Sequence, residues 1–271
     1  MSTKDSVWSI DLGPYDCLYR ILRDDGQEQR VVYVLLECLD LIPETSQTFG
    51  PLVIRELSKL AEWNGRWKTL TISKDDDIGI TARADVFEPH GLPPREPPQE
   101  GDEPFRMFSI FDLEPLDDVK NRVSRVQVNG EECFLKIARF EFELAALAHE
   151  SRVYETLTRQ GSNLVPRLLG YAYEETHDRA IGLVFEAISG YHPGIGDLAV
   201  CQEALQRLHS SNVVHGDINR YNMLVTQDGV KFIDLELSEI GTMYEEKMDK
   251  EMKDLEEQLL DESGMGRPWS L

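Results

Sequence analysis

Hydrophobic and polar positions divide the first third of the chain into segments of different periodicity. Between residues 51 and 63, apolar residues recur at three- and four-residue steps, which predicts an amphipathic helix. Residues 30–39 are apolar and β-branched enough for either a strand or a buried helix, and periodicity does not decide between the two. Residues 66–72 and 78–87 have strand character. Residues 1–88 are therefore predicted to form an α+β extension, and no chemistry is assigned to them.

Two turn sequences predict β-hairpins in the second half of the chain. Asn129-Gly130 separates the alternating residues 123–128 from the apolar residues 133–137. Asp228-Gly229 likewise separates two short apolar runs. Asn-Gly and Asp-Gly favour the tight turns that join antiparallel strands, because both central residues can adopt a positive φ. The second hairpin is expected to place Asp234 at the end of a strand.

A proline-rich segment with no apolar periodicity interrupts these patterns at residues 89–104. Such a composition is typical of a stiff spacer, although a proline-based recognition motif is the alternative. It is the best candidate for a domain boundary. The predicted organisation is an extension before this linker, a globular domain over residues 105–240, and an acidic helix and tail over residues 241–271.

The C-terminal segment carries a narrow apolar stripe on a strongly acidic helix. The stripe consists of Tyr244, Met248, Met252, Leu255 and Leu259. Helical spacing of this kind favours packing against the body of the protein. Binding of a protein partner through the acidic helix is the alternative.

Composition narrows the class of protein. The chain has 28 Lys and Arg residues against 50 Asp and Glu residues, for a net charge of −22. This charge argues against a nucleic-acid partner, because phosphate backbones are bound by basic surfaces. No apolar run is long enough to span a bilayer, and the N-terminus lacks a signal-peptide pattern. The four cysteines form no C-x-x-C pair, which favours reduced thiols in the cytoplasm or nucleus.

Two charged residues stand at positions where apolar residues are expected. Lys136 lies inside an apolar strand, and Glu150 lies on the apolar stripe of the following helix. A buried charge is costly unless a charge of opposite sign lies beside it. The simplest interpretation is that the two residues pair with each other. The alternative is that both side chains extend separately to solvent.

The most informative stretch is a polar cluster between apolar runs. It comprises residues 215–222, with the sequence His-Gly-Asp-Ile-Asn-Arg-Tyr-Asn, and it is followed by Phe232-Ile233-Asp234. Asp217, Asn222 and Asp234 supply two carboxylates and one carboxamide. Hard oxygen ligands of this kind at a strand end suit Mg²⁺ and a polyphosphate.

The strand lysine, the helix glutamate, the H-x-D-x-x-x-x-N loop and the strand-end aspartate stand in the order typical of the protein-kinase-like superfamily. The resemblance spans residues 122–236. It implies that Lys136 contacts the α- and β-phosphates of ATP and that Glu150 holds Lys136 in place. Glu186 to Ile188 resemble the hinge whose backbone binds adenine.

The same resemblance implies roles for the polar cluster. Asp217 would orient the hydroxyl group of the substrate, and Arg220 would neutralise the transferring phosphate. Asn222 and Asp234 would bind Mg²⁺. His215 is expected to be structural and to bond the loop backbone, because phosphoryl transfer needs little acid–base chemistry.

The chain also departs from the pattern of regulated protein kinases. Gly216 replaces the usual Arg, and Asp234-Leu235-Glu236 replaces D-F-G, as in choline and aminoglycoside kinases. No glycine occurs between residues 112 and 129, where the glycine-rich loop is expected, and no A-P-E segment follows. The resemblance is therefore to the atypical members, of the RIO type and the choline or aminoglycoside type.

Together these features predict an α+β protein with a two-lobed protein-kinase-like fold, a truncated C-lobe and an N-terminal α+β extension. The predicted activity is transfer of the γ-phosphoryl group of Mg-ATP to a hydroxyl group on a protein or a small molecule. The alternative is a pseudokinase, a nucleotide-binding or scaffolding module without turnover. The intact set of site residues favours the enzyme, whereas the absent glycine loop favours the scaffold.

Overall fold

The computed structural model describes residues 4–94, 105–264 and 266–268. Within these residues the protein is α+β, with four α-helices and several sheets. Residues 95–104 of the predicted linker lie outside the described residues. None of the described helices combines the length and the apolar composition that a membrane span requires.

The chain forms two compact units. The first comprises Met1–Gly91 with Glu174–Arg179, and the second comprises Leu92–Tyr173 with Ala180–Leu271. The short segment Glu174–Arg179 thus belongs to the first unit, although it is far from it in sequence.

The first unit contains a five-stranded sheet in the order β1-β2-β3-β4-β5 and one α-helix. The elements are β1 (Lys4–Leu12), β2 (Cys17–Asp24), β3 (Gln29–Leu36), α1 (Gly50–Leu57), β4 (Thr69–Asp75) and β5 (Gly79–Ala84). The segment left open between strand and helix is β3, which pairs antiparallel with β2 and parallel with β4. Its residues are mostly buried. A buried strand with a neighbour on each side has a nearly continuous apolar sequence, without the alternation of a half-exposed strand, which is why periodicity did not identify it.

A buried ion cluster explains why the segment from Glu174 belongs to the first unit. The Glu174 carboxylate has no exposed surface, and it accepts hydrogen bonds from Arg20, Arg179 and the Tyr33 hydroxyl. Burial alone would raise the pKa of this carboxyl group. The two guanidinium groups outweigh burial and hold the pKa below its usual value.

The second unit contains a six-stranded sheet in the order β6-β10-β11-β9-β8-β7, together with α2 and a largely helical C-terminal part. The sheet and its helix comprise β6 (Arg106–Ser109), β7 (Glu114–Lys120), β8 (Val123–Val128), β9 (Glu131–Ile137), α2 (Glu141–Arg159), β10 (Leu168–Tyr173) and β11 (Ala180–Glu186). The C-terminal part comprises α3 (Leu198–Ser210), β12 (Val213–Val214), β13 (Met223–Thr226), β14 (Gly229–Phe232), β15 (Glu239–Ile240) and α4 (Glu245–Leu260).

Both hairpins predicted from turn sequences are present. Asn129 and Gly130 join β8 to β9 with φ values of 53° and 83°, as a tight turn with two positive φ values requires. β13 and β14 also form a hairpin, but their turn is Gln227-Asp228, one residue earlier than predicted, because Gly229 already pairs with Thr226. The second hairpin carries Asn222 just before it and Asp234 just after it, so both polar residues lie at the same end of the hairpin.

The C-terminal helix packs on the body of the second unit, as its apolar stripe predicts. Leu255 and Leu259 are buried in the same core as α2 and α3, and Met252 packs against that core. Met248, which was expected to take part, is only half-buried and lies outside the core. The contact is therefore displaced by about one helical turn toward the end of α4.

Candidate functional site

Lys136 and Glu150 lie on different elements that the fold brings together. Lys136 stands on β9 opposite Leu183 of β11, on the face of the sheet whose core includes α2. Glu150 lies on α2 and is 1% exposed. The Lys136 Nζ atom is 2.8 Å from the Glu150 Oε2 atom, which confirms the pairing inferred from the two misplaced charges.

Lys136 also contacts two further carboxylates. Its Nζ atom lies 2.6 Å from Asp234 Oδ1 and 3.1 Å from Glu236 Oε1. The oxygens of the three carboxylates lie within 4.8 Å of one another, a spacing that a metal ion could share. The Lys136 ammonium group contacts each of them, so it already serves as their common cation. Arg122 also contacts Glu236, at 2.6 Å, so two cationic side chains face the three carboxylates.

The pKa shifts in this cluster follow from burial and charge. Burial alone would lower the pKa of Lys136, but Glu150, Asp234 and Glu236 outweigh it and raise the pKa above its usual value. Burial raises the pKa of Glu150 despite the neighbouring ammonium group. Burial would also raise the pKa of Asp234, but Lys136 outweighs it and lowers the pKa. Asp234 is therefore a carboxylate at neutral pH.

Asp234 has an unusual backbone conformation. Its φ is +64°, which is uncommon for residues other than glycine, although Asn and Asp adopt it more readily than most. The next residue, Leu235, is fully buried, and its N–H group donates to Glu150 Oε1 at 2.9 Å. These contacts fix the backbone on one side of Asp234. Its side chain is 35% exposed, so a ligand can reach it.

Asn222 and Asp217 are joined by hydrogen bonds. Asn222 Nδ2 donates to the Asp217 carboxylate at 2.9 Å and to the Asp217 carbonyl oxygen at 3.0 Å, which fixes the orientation of the amide. The other amide atom, Asn222 Oδ1, is buried and has no donor among the described residues. A buried acceptor without a donor normally costs about 1–3 kcal/mol. Such an atom suits a cation ligand.

These observations fit a Mg²⁺ site at Asn222 and Asp234. Mg²⁺ prefers oxygen ligands, and the site supplies an unpartnered amide oxygen and an accessible carboxylate. The Ile233 N–H group donates to the Asn222 carbonyl oxygen at 3.0 Å, which keeps the neighbouring Asp234 close to Asn222.

His215 is structural, as the sequence indicated. It is fully buried, and its Nε2 atom lies 3.1 Å from the Ile233 carbonyl oxygen. Its Nδ1 atom accepts the Asp217 N–H group at 3.3 Å. These partners assign the proton of the neutral ring to Nε2. Burial is the main cause that lowers the pKa of His215, so the ring stays neutral and ties the polar cluster to the strand that precedes Asp234.

Gly216 is required by a close backbone approach. Its φ is +84°, and a Cβ atom at this position would lie 2.0 Å from the Leu237 carbonyl oxygen. Any side chain would therefore clash with the backbone that follows Asp234-Leu235-Glu236.

Within the described ranges, Arg220, Glu186 and Ile188 form no hydrogen bond or ion pair with the side chains of Lys136, Asn222 or Asp234. Arg220 is half-buried, and its Nε atom has no acceptor within the described ranges. The Glu186 N–H group already donates to the Arg167 carbonyl oxygen at 3.0 Å. The Ile188 N–H group makes no hydrogen bond within the part of the chain that the structure describes. Ile188 thus offers a free donor for a ligand, whereas the donor of Glu186 is already used.

Two carboxylates of the site were missed by sequence-based reasoning. Glu236 was noted only as a departure from D-F-G, yet it bridges Lys136 and Arg122, whose Nη2 atom lies 2.6 Å from Glu236 Oε1. Glu251 of α4 accepts the N–H groups of Gly216 and His215 at 2.6 and 3.2 Å. The C-terminal helix therefore holds the backbone at the start of the polar cluster.

Replacing Glu251 by Gln is expected to lower the free energy of unfolding by about 1–3 kcal/mol, because one of two backbone donors loses its acceptor. The pKa of Glu251 is lowered: burial raises it, but hydrogen bonds from His209, Gly216 and His215 outweigh that effect. A carboxyl group with a lowered pKa in the folded state stabilises the protein above its unfolded pKa. That contribution is lost as the pH falls through the folded pKa.

Chemical denaturation of the variant from pH 7 down to about pH 2 measures this effect. The control is Glu256→Gln, at an exposed position of the same helix. The difference between the two variants should be constant down to the unfolded pKa of about 4.3 and shrink only below it. Equal stabilities at pH 7 would show that Glu251 does not anchor the loop.

Comparison with known families agrees with this geometry. Residues 195–254, less than a quarter of the chain, match the family model of the RIO domain. This segment contains α3, the polar cluster, the hairpin that leads to Asp234, and most of the helix with Glu251. The match confirms the resemblance to the protein-kinase-like superfamily, and to its RIO-type members. No curated protein matches the chain significantly.

Proposed function

We propose that the second unit binds Mg-ATP and transfers its γ-phosphoryl group to a hydroxyl acceptor. The observation that carries this proposal is the contact of one buried lysine, Lys136, with both Glu150 and Asp234, at 2.8 and 2.6 Å. A buried lysine held by a helix glutamate next to a metal-binding aspartate is the arrangement that phosphoryl transfer requires in kinases. The RIO-domain match supports the same activity.

The proposed architecture is a two-lobed kinase-like domain over residues 105–240, to which the acidic C-terminal segment at residues 241–271 adds a helix. The six-stranded sheet with α2 would be the N-lobe. α3, the β13–β14 hairpin and the acidic C-terminal segment would form a truncated C-lobe, in which α4 replaces part of the usual helical platform. Residues 1–88 would be an N-terminal extension, joined by the linker at residues 89–104. We place the protein in the cytoplasm or nucleus.

Each polar residue has a proposed role. Lys136 holds the α- and β-phosphates, and Glu150 keeps its ammonium group in position. Asp217 accepts a hydrogen bond from the acceptor hydroxyl and orients it toward the phosphorus atom. Arg220 neutralises charge on the transferring group, and the free N–H group of Ile188 donates to adenine. Positioning and charge stabilisation supply most of the catalysis in reactions of this kind.

Asn222 and Asp234 would hold Mg²⁺. When bound, the metal would neutralise phosphate charge that a protein with a net charge of −22 would otherwise repel. The protein's own contribution is to fix the two oxygen ligands, through the hydrogen bonds of Asn222 with Asp217 and through the backbone anchors on either side of Asp234.

Thermal unfolding with nucleotide tests the binding step. Mg-ATP at a hundredfold excess over its Kd should stabilise the fold by about 2.7 kcal/mol, because it binds the folded state alone. Mg-ADP should act similarly, and EDTA should remove most of the effect. An unchanged melting temperature at millimolar nucleotide would contradict both a kinase and a nucleotide-binding scaffold.

A pseudokinase is the second candidate, and one observation favours it. Glu236 contacts both Lys136 and Arg122. Its carboxylate therefore already pairs with cationic side chains that phosphate groups would otherwise contact. A protein that binds nucleotide without turnover would retain this contact. Release of ADP from Mg-ATP, measured with protein and small-hydroxyl acceptors, separates the two candidates: turnover above that of Asp217→Asn supports the enzyme, and none supports the pseudokinase.

A further inference from the structure

The β7–β8 hairpin lacks the backbone features that bind phosphate in a glycine-rich loop. Its turn is Asn121-Arg122, and Arg122 itself has a φ of +67°. The Arg122 guanidinium is engaged by Glu236 at 2.6 Å and lies 3.8 Å from Glu143. In kinases, a glycine-rich loop at this point covers the phosphates with its backbone. Another group must supply that contact if this protein binds a polyphosphate.

Strand register places a second lysine on the same face as Lys136. Lys120 is the last residue of β7 and pairs with Val123 of β8, and Val123 pairs with Lys136 of β9. Residues directly opposite each other on antiparallel strands point to the same face of a sheet. Two strand spacings separate the two lysines, about 10 Å. Both side chains can therefore approach one polyphosphate from neighbouring positions.

Lys120 has no carboxylate partner of its own. It is half-buried, and it forms no ion pair within the residues that the structure describes. Burial is the main cause that lowers the pKa of Lys120. Lys136 adds to this effect, while Asp234 and Asp217 oppose it. The pKa of Asp234 is in turn lowered in part by Lys120. The ammonium group thus lies near the two aspartates of the site without pairing with either.

We propose that Lys120 is a second phosphate-binding residue, which contacts the phosphates of a nucleoside triphosphate from the β7–β8 hairpin and replaces the missing glycine-rich loop. This inference rests on the proposed function. An ammonium group forms strong charge-assisted hydrogen bonds with phosphate oxygens. Lys120 and Lys136 together would balance phosphate charge that Asp217, Asp234 and Glu236 otherwise repel.

Titration calorimetry of Lys120→Met and Lys120→Arg with Mg-ATP, Mg-ADP and adenosine tests the proposal. Lys120→Met should weaken Mg-ATP binding by about tenfold or more, because the charge-assisted hydrogen bonds of the ammonium group with phosphate oxygens are lost. The loss should be smaller with Mg-ADP and absent with adenosine, which has no phosphate. Lys120→Arg should retain most of the affinity. Lys253→Met, at an exposed position of α4, is the control.

The outcomes separate this inference from the function on which it rests. Equal affinities of Lys120→Met and Lys253→Met for Mg-ATP would overturn the role of Lys120 alone, because the wild type still binds. An equal loss for adenosine and Mg-ATP would also overturn it, because the effect would not involve phosphate. A wild type that binds none of the three ligands would overturn the proposed function and the inference together.

Discussion

Replacing Asp217 by Asn is expected to lower ATP turnover by about 10²–10⁴-fold, the usual range for loss of a positioned acid–base group. Mg-ATP binding should stay nearly intact. Asp217 is exposed and contacts Asn222 and Asn219 through its side chain. It is therefore free to orient an acceptor hydroxyl, while the nucleotide is bound elsewhere. An amide in its place retains the shape of the side chain but loses the negative charge.

Asp234→Asn should behave differently. Its carboxylate contacts Lys136 at 2.6 Å and is one of the two proposed Mg²⁺ ligands, so its loss should weaken Mg-ATP binding together with turnover. Asp228→Asn is a suitable control, because Asp228 is exposed in the turn of the β13–β14 hairpin and Asn is as well tolerated in turns as Asp. Parallel measurement of Kd and kcat for the three variants checks the assignment. Equal losses of binding in Asp217→Asn and Asp234→Asn would contradict the division of roles.

Replacing Lys136 by Met is expected to destabilise the protein by about 3–5 kcal/mol, the cost of leaving a buried charge without its partner. Glu150, at 1% exposure, would then be buried without a cation. The same substitution should weaken Mg-ATP binding. Lys253→Met, at an exposed lysine, is the control for loss of one positive charge.

This destabilisation should depend on pH in a defined direction. Burial already raises the pKa of Glu150, and removal of Lys136 raises it further. In the variant, the folded state therefore binds a proton at a pH where the unfolded state does not. The difference in free energy of unfolding between the wild type and Lys136→Met should be largest near pH 8. It should shrink as the pH falls toward the unfolded pKa of Glu, about 4.3.

A double-mutant cycle isolates the interaction between the two residues. Glu150→Gln removes the charge but keeps an oxygen for the Leu235 N–H group, which Glu150 now accepts at 2.9 Å. Combined with Lys136→Met, it should recover part of the lost stability, with a coupling energy of about 0.5–3 kcal/mol. Strictly additive free energies of unfolding would contradict an interaction between Lys136 and Glu150.

The sequence indicated the pairing at the centre of the site, with separate exposure of the two side chains as the alternative. Lys136 and Glu150 each break an apolar pattern, and a charge on a buried face requires a partner of opposite sign. The hairpins at Asn129-Gly130 and near Asp228-Gly229 were predictable because turn residues are local signals, although the second turn lies one residue earlier than predicted. Both kinds of inference depend only on residues close together in the sequence.

Glu251 was missed although a signal for it exists. It lies between Met248 and Met252 on the stripe that continues to Leu255, and it therefore breaks an apolar face as Glu150 does. Its partners, however, are backbone N–H groups of residues 215 and 216. Backbone donors leave no mark in a sequence, so the position of Glu251 could be suspected but its contacts could not be predicted.

The arrangement of Lys120 could not be predicted from the sequence. β7 contains Pro115, Asp117 and Asp118 and shows no apolar alternation, because it is the edge strand of the sheet. Edge strands carry charged residues and proline and so lack the usual strand pattern. Because the sequence pattern does not reveal β7, it does not indicate that Lys120 lies near Lys136. The register of three strands is needed to place both on one face.

Titration calorimetry of the wild-type protein with ATP, in Mg²⁺ and again in EDTA, tests the central claim most directly. If Lys136, Asn222 and Asp234 form a metal-dependent nucleotide site, we expect one binding site per chain in Mg²⁺ and a large loss of affinity in EDTA. Absence of binding in Mg²⁺, or the same affinity in both buffers, would contradict it.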